Sequence, residues 1–266
     1  MLFAMLAFAA LAEEPQFEGT QQPPAEKVDA SETKLSAELG GTVSTGNTDF
    51  YTLSSTINGS RKWAHNQLGL KAGLINGRGI VAADGNGTLD PSERAAGRQI
   101  NAQKTYADAR YDRFFGEKNS LYVLGGALGD PLSGYDLRTH EQVGYSRLVI
   151  ATDDTKLRAE LGADWAQEDF VAGVAPNTAD VVAARILLGF SHTFNDNVAF
   201  DESLEMFENV LDPSDLRAIN TLSITASLSE KLSLKASHLL TFDNQPVTGF
   251  QAMDQTSTIT LVASIL

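Results

Sequence analysis

The sequence of 266 residues has no cysteine, few basic residues and no internal apolar run long enough for a membrane-spanning helix. The absence of cysteine is compatible with an exported protein. A helix needs roughly 20 apolar residues to span a bilayer, so a helical membrane protein is excluded. The 34 acidic residues outnumber the 20 basic ones, which argues against a nucleic-acid-binding face. A Gly-x-Ser-x-Gly motif, a phosphate-binding loop and a His/Cys cluster are also missing. No catalytic residue is therefore predicted, and the protein is not expected to be an enzyme.

The first 33 residues differ in composition from the rest of the chain. Residues 1–12, MLFAMLAFAALA, form an apolar stretch that ends in a small-x-small pattern, Ala10-Leu11-Ala12. This predicts a signal peptide, atypical because it lacks a basic n-region, with Glu13 as the first mature residue. A buried N-terminal helix is the alternative. Residues 13–33 are acidic and proline-rich and predict a flexible linker. Cleavage after residue 12 implies export.

From residue 34 onward, apolar and polar residues alternate in segments of strand length. The clearest segment, residues 156–165, places charged or small residues between apolar ones, which are Leu157, Ala159, Leu161, Ala163 and Trp165. A period of two is that of a β-strand whose two faces meet different surroundings. In a transmembrane barrel the apolar face meets lipid and the charged face lines the lumen.

About 12 such segments follow one another, and their connections sort by length. Short turns near residues 65, 117, 153, 196 and 230 alternate with longer connections near 87, 132, 174, 212 and 247. Only the short turn at Gly46-Asn47 breaks this rule. The pattern is typical of outer-membrane barrels, which have tight periplasmic turns and longer outer loops. Aromatic residues near the strand ends predict an interfacial girdle. They are Trp63, Phe114, Phe115, Tyr135, Tyr145, Phe194 and Phe242.

The predicted fold is therefore all-β, a single antiparallel up-and-down transmembrane β-barrel of about 12 strands over residues 34–266. It is of outer-membrane type, which places it in the outer membrane of a Gram-negative bacterium. The expected partners are outer-membrane lipid and, through the C-terminal strand, the barrel-assembly machinery. Nucleic acid is not an expected partner, and the oligomeric state is not predicted.

Three segments carry a resemblance to a known family. They are residues 38–48, which include STGNT at 44–48, the segment SGYDLR at 133–138, and TSTITLV at 256–262. Over residues 35–266 the chain resembles the YdiY-like salt-induced outer-membrane protein family, a family of unknown function. The resemblance implies an envelope barrel linked to salt or osmotic stress and brings no catalytic residues. Such barrels usually end on an aromatic residue that the assembly machinery reads, whereas this sequence ends on Leu266.

Charged residues on the polar faces form a predicted lumen ladder. Two interpretations are open: salt-bridge networks that fill a narrow barrel, or a small passive pore lined by the same groups. A barrel of this strand number is narrower than porins of roughly 16 strands. The expected function is thus a structural barrel or a passive narrow diffusion pore. The ladder consists of Glu38, Lys71, Lys104, Asp108, Arg110, Arg138, Arg158, Glu160, Asp164, Arg185, Asp201 and Glu205.

The insert at residues 82–93, AADGNGTLDPSE, resembles a calcium-binding loop in its spacing. With Gly87 at the sixth place, the ligand positions fall on Asp84, Asn86, Thr88, Asp90 and Glu93. The first place holds Ala82, where a ligand is expected, and no helix is predicted beside the loop. A weak calcium site and a solvated loop are both open, and no other cofactor is predicted. An alternative function is a surface barrel that binds a ligand or calcium through outer loops 76–97 and 168–180.

Four titratable residues fall on the apolar faces: Glu141, His192, Glu202 and His238. A charge that faces lipid at mid-depth costs about 2–4 kcal/mol. A histidine beside an acid allows a third function, a lipid-active enzyme, with His192 and Glu202 diagonal across the turn at Asn195. No serine nucleophile shares their face, because Ser191 and Ser203 point inward. A β-bulge or an interfacial position explains these residues more simply.

Overall fold

In a computed structural model that describes residues 31–45, 49–80 and 89–265, the chain forms a closed barrel of twelve antiparallel strands. Each strand pairs with the next, and β12 pairs with β1. Closure removes exposed strand edges. The strands are β1 (Glu32–Ser44), β2 (Phe50–Trp63), β3 (Asn66–Gly79), β4 (Gln99–Phe115), β5 (Asn119–Asp130), β6 (Tyr135–Ala151), β7 (Thr155–Phe170), β8 (Thr178–Asn195), β9 (Val198–Asn209), β10 (Leu216–Ser229), β11 (Leu232–Asp243) and β12 (Met253–Ser264).

This architecture confirms the predicted fold class. The signal peptide, most of the linker, the turn Gly46-Asn47 and the terminal Leu266 lie outside the described residues. Because β1 begins at Glu32, the predicted linker overlaps the first strand by residues 32 and 33. A short helix, α1 (Pro91–Ala96), lies between β3 and β4. No helix in the described part of the chain has the length and apolar character needed to cross a membrane.

The alternation of residue types places apolar side chains outside the barrel and charged ones inside. In β7, Leu161 is 62% exposed on the outer surface, whereas its neighbour Glu160 is 3% exposed. This arrangement is the reverse of a soluble fold, whose apolar residues lie inside. An exterior that consists largely of leucine, isoleucine and valine side chains suits contact with lipid.

The connections sort by end, as predicted. At one end the strands are joined by residues 64–65, 116–118, 152–154, 196–197 and 230–231. At the other end the connections are 45–49, 80–98, 131–134, 171–177, 210–215 and 244–252. By analogy with outer-membrane barrels we call these the periplasmic end and the outer end.

Two predicted loop boundaries are wrong. The expected loop 168–180 is only 171–177, because β7 continues to Phe170 and β8 begins at Thr178. The expected insert 76–97 loses residues 76–79 to β3, and it contains α1 although no helix was predicted. In both places the strands extend beyond the apolar band, where the alternation of hydrophobicity on which the prediction depended is lost.

Two residues of the predicted aromatic girdle, Phe114 and Tyr135, face the lumen instead; Tyr135 pairs with the buried, inward Asp130. Near the periplasmic end, Trp63 packs against Tyr111 and Phe115 against Tyr145, with ring centroids 6.5 and 6.1 Å apart. Phe114, however, is 5% exposed and faces the lumen. Its position follows the parity of the inward residues Arg110 and Asp112, so it is not part of the outer girdle.

Candidate functional site

The lumen has two walls of different chemistry. The charged wall, formed by the inward side chains of β4 to β9, carries large charged and aromatic groups that are mostly buried. The hydroxyl wall, formed by the inward side chains of β10 to β12, β1 and β2, consists mainly of serine and threonine. Five of its members are half-buried: Ser54, Thr56, Thr225, Ser237 and Thr258; three others, Ser223, Thr256 and Thr260, are buried. Because an inward side chain of a closed barrel is exposed only to the lumen, the partial exposure of the first five shows that there is space beside this wall.

Glu160 is the centre of the charged wall. Its carboxylate accepts hydrogen bonds of 3.1 and 2.8 Å from Arg110, on β4, and of 2.9 Å from Arg185, on β8. The Nε of Arg158 lies 3.4 Å from the same carboxylate. The other edge of the Arg110 guanidinium binds Asp112 at 2.9 Å, and Arg185 also pairs with Glu205. Each buried charge thus has an opposite partner, as burial of an ion requires.

Tyr122 connects the two arginines that flank Glu160. Its ring lies below the guanidinium of Arg110, at 4.1 Å from the ring centroid, and its hydroxyl accepts a 2.6 Å hydrogen bond from Arg185. Tyr122, Gly144 and Gly162 are aligned across β5, β6 and β7. A Cβ at Gly144 or Gly162 would lie 2.5 or 2.6 Å from the tyrosine hydroxyl. The two glycines therefore provide the space that the ring occupies.

A second ion-pair cluster lies near the outer end. Glu168, on β7, pairs with Arg138, at 3.2 Å, and with Arg217, which reaches it from β10. Arg217 is also 3.2 Å from Asp243 and 3.6 Å from Asp215. Because β7 and β10 are three positions apart in the barrel, this cluster spans part of the outer mouth.

Apolar side chains form a constriction in the outer half of the lumen. Ala183, Phe207, Ile219 and Leu239 are buried together, from four consecutive strands, and Ile75 packs against them. Ile75 belongs to β3, which lies across the barrel from β8 to β11. An apolar contact therefore crosses the lumen at this level.

All twelve residues of the predicted ladder lie on the inward faces of their strands. Beyond the clusters above, they form smaller contacts. Lys104 is 4.0 Å from Asp130, and the Nε2 of His140 is 3.4 Å from Asp108. The remaining contacts are Lys71 over the ring of Tyr106 (5.9 Å), Glu38 with Lys235 (3.6 Å) and Asp201 with Ser191 (2.7 Å), and Asp164 is 2% exposed.

The candidate calcium ligands are only partly described. Asp84, Asn86 and Thr88 lie outside the described residues. Asp90 caps α1 and accepts hydrogen bonds from the Glu93 backbone N–H (2.9 Å) and the Ser92 hydroxyl (2.7 Å), which lower the pKa of its carboxyl. Glu93 in turn accepts a 3.0 Å bond from the Asp90 backbone N–H. These two carboxylates therefore form a capping box. No group of three potential metal ligands occurs among the described residues.

The loops at the outer end are joined to one another by hydrogen bonds and apolar contacts. Gln245 donates hydrogen bonds to Ser214, at 2.7 Å, and to Asp212, at 3.2 Å, so loop 244–252 is tied to loop 210–215. Hydrogen bonds from Ser214 and Gln245 lower the pKa of the Asp212 carboxyl. Val247, 8% exposed, lies against Gly134 of loop 131–134. Loop 244–252 therefore folds inward over part of the outer mouth.

His192 and Glu202 are diagonal neighbours, as predicted, because His192 pairs with Phe200 and Glu202 with Phe190. The nearest serine, Ser191, is bonded to Asp201 inside the lumen. His192 itself bonds Thr155 at 2.9 Å and contacts the edge of Phe194. Among the described residues His192 thus has no bonded serine, and its hydroxyl partner is Thr155.

Three residues central to the lumen were missed in the sequence: Tyr122, Glu168 and Arg217. Arg217 falls beside a predicted loop, and Glu168 falls inside one. A signal for Tyr122 existed in Gly144 and Gly162, two glycines on the inward parity of consecutive strands. Small residues in register across strands indicate that a bulky side chain from the next strand lies over them.

The comparisons with known proteins agree with the barrel. The family model described as "Protein of unknown function, DUF481" matches residues 37–265. No curated protein matches the sequence. A solved structure of the NanC porin has a TM-score of 0.51 at 12% identity and covers 87% of this chain and 100% of its own. This likeness shows the fold alone.

Two further solved structures have lower scores. The COG4313 outer membrane channel from Pseudomonas putida F1 has a TM-score of 0.48 at 12% identity, and the match covers 94% of this chain and 100% of that one. The KdgM porin in complex with disordered oligogalacturonate has a TM-score of 0.46 at 9% identity, with 88% and 100% covered.

Proposed function

The chain belongs to the DUF481 family, whose description states no function, and we propose from the geometry of its lumen that it is a narrow diffusion channel of the outer membrane. The observation that carries the proposal is the difference between the two walls. The charged wall is filled by paired side chains, whereas the hydroxyl wall leaves five of its serines and threonines partly exposed. Solutes pass along the hydroxyl wall.

The hydroxyl groups and the apolar contact along this path determine which solutes can cross the barrel. Hydroxyl groups exchange hydrogen bonds with water and small polar solutes without a fixed charge. The apolar contact of Ile75 with the buried cluster that contains Leu239 crosses the lumen, and apolar constrictions oppose the passage of large hydrated ions. Small polar solutes are therefore the proposed substrates, and they cross by diffusion without a chemical step.

Electrical recording of the folded protein in a planar bilayer tests the channel. We expect small, discrete current steps from the natural sequence. Ser237→Trp places an indole against the hydroxyl wall and is expected to abolish most of the current. Ala236→Trp is the matched control, because residue 236 is adjacent but faces outward, so its conductance is expected to stay unchanged. A silent bilayer with the natural protein, or equal currents from both variants, would contradict the channel.

The segments at 38–48, 133–138 and 256–262 support a resemblance to the YdiY-like salt-induced outer-membrane proteins. We propose that the channel is produced when external salt rises. Transcript level measured across a salt series in the source bacterium tests this, and a level that does not change with salt would exclude it.

Location and assembly are parts of the same proposal. The apolar exterior supports a place in the outer membrane of a Gram-negative bacterium, with lipid as its surroundings. β12 closes the barrel against β1 and is the proposed contact of the assembly machinery. The signal peptide at residues 1–12 is the proposed route of export. No activity on lipids is proposed.

A further inference from the structure

On the lipid-facing surface of β9 to β12, four polar side chains lie at neighbouring positions: Glu202, Asn220, His238 and Ser257. Their neighbours along the same faces are largely apolar. Phe200 and Leu204 flank Glu202, and Ala236 and Leu240 flank His238. The polar groups therefore interrupt an apolar surface and are not part of its polar border.

These side chains form a row across the four strands. Leu222, on β10, pairs with Glu202 on one side and with His238 on the other. His238 pairs in turn with Ser257 and bonds its hydroxyl through Nδ1 at 2.9 Å. Asn220 donates a 3.4 Å hydrogen bond to Glu202. An acid and a histidine thus lie one strand to either side of a central leucine.

Their depth can be estimated from strand geometry. A strand tilted by roughly 45° rises about 2.5 Å per residue along the barrel axis. Val198 and Leu232 are the periplasmic ends of β9 and β11. Counted from these ends toward the outer end, Glu202 lies four residues along β9, about 10 Å from the end of its strand, and His238 lies six residues along β11, about 15 Å from the end of its strand. Both are inside an apolar band of about 25 Å.

The other two titratable residues on the apolar faces, Glu141 and His192, lie at the borders of this band. Glu141 lies ten residues above Ala151, about 25 Å from the periplasmic end of β6, at the outer boundary. His192 lies beside the girdle residue Phe194, with ring centroids 4.8 Å apart. An interfacial position accounts for these two by this estimate, but it does not account for Glu202 and His238.

We propose that the row is the contact between two copies of this chain, related by a two-fold axis that runs along the membrane normal near Leu222. Polar side chains inside a membrane usually pair with one another. A two-fold axis at Leu222 makes Glu202 of one copy face the partner's His238, and the reverse contact forms at the same time. By the depths given above, the two groups differ in height by roughly 5 Å, which the two side chains together can span.

The arrangement favours a second copy over other occupants. The complementary groups lie at equal strand distances from one residue, which is what a self-complementary interface requires. His238 uses Nδ1 for Ser257, which leaves Nε2 for the partner's carboxylate. Lipid head groups lie at the membrane boundary, about 10 Å from Glu202 or farther by the estimate above. The small residues Ala226 and Ala236 beside the row allow close approach of the two surfaces.

Disulfide formation tests the interface, because the natural sequence has no cysteine. Leu222→Cys, oxidised in isolated outer membranes, is expected to give a covalent dimer, since a residue near a two-fold axis meets its own copy. Leu161→Cys is the matched control: it is also a lipid-facing leucine, six residues above the periplasmic end of β7, on another part of the barrel. It is expected to remain monomeric.

A second measurement shows whether the dimer depends on the polar row or forms by random collision of barrels in the membrane. Adding Glu202→Leu to the Leu222→Cys protein is expected to lower the dimer yield roughly threefold to tenfold, the range for a lost polar contact in a membrane. Gel mobility without heating verifies that each variant is folded. Absence of the Leu222→Cys dimer, equal dimer from Leu161→Cys, or an unchanged yield after Glu202→Leu would overturn the interface. The proposal shares only the membrane location with the channel, so its failure leaves the conductance result intact.

Discussion

Glu160→Ala is expected to destabilise the barrel by about 3–5 kcal/mol, the cost of removing one partner from a buried ion pair. The carboxylate is 3% exposed and contacts three arginines, Arg110, Arg158 and Arg185. After the substitution these three guanidinium groups lie close together with less negative charge among them. Water reaches the site poorly, so it cannot replace the lost carboxylate.

The loss is measured as the shift in urea concentration at half-unfolding in lipid vesicles, followed by the fluorescence of Trp63 and Trp165. Glu208→Ala is the matched control, because Glu208 is also on a strand but is exposed on the outer surface. Its substitution is expected to change stability by less than about 0.5 kcal/mol. Equal unfolding midpoints for the two variants would show that the network around Glu160 contributes nothing.

The number of strands and their facing could be predicted from the sequence because both follow from local alternation. Leu161 and Glu160 are adjacent, and a period of two assigns them to opposite faces whatever the rest of the chain does. The sorting of short and long connections then identified the two ends. The ends of β7 and β8 could not be predicted in this way. Beyond the membrane both faces of a strand meet water, so residues such as Glu168 and Asp180 show no contrast.

The partners within the lumen could not be predicted either. Arg110 and Glu160 lie on strands three positions apart, and Arg217 and Glu168 are separated similarly. Whether such groups meet depends on the shear of the barrel, which no local pattern encodes. The difference between the two walls has the same origin. Serine and threonine on one half of the strands were visible in the sequence, but the space beside them appears only when the barrel closes.

The most direct test of the two-walled lumen is the reactivity of single cysteines with a small, water-soluble methanethiosulfonate. Ser237 and Ser146 suit this comparison because both are inward serines five residues from the periplasmic end of their strands. Ser237 is half-buried on the hydroxyl wall, and Ser146 is 4% exposed on the charged wall.

In folded protein, Ser237→Cys is expected to react rapidly and to lose conductance as it does so, whereas Ser146→Cys is expected to remain unmodified. Both should react after unfolding, which controls for the reagent. An unreactive cysteine at 237 in the folded protein would contradict the water-filled path along the hydroxyl wall. Equal reactivity at 237 and 146 would contradict the division of the lumen into a filled wall and an open one.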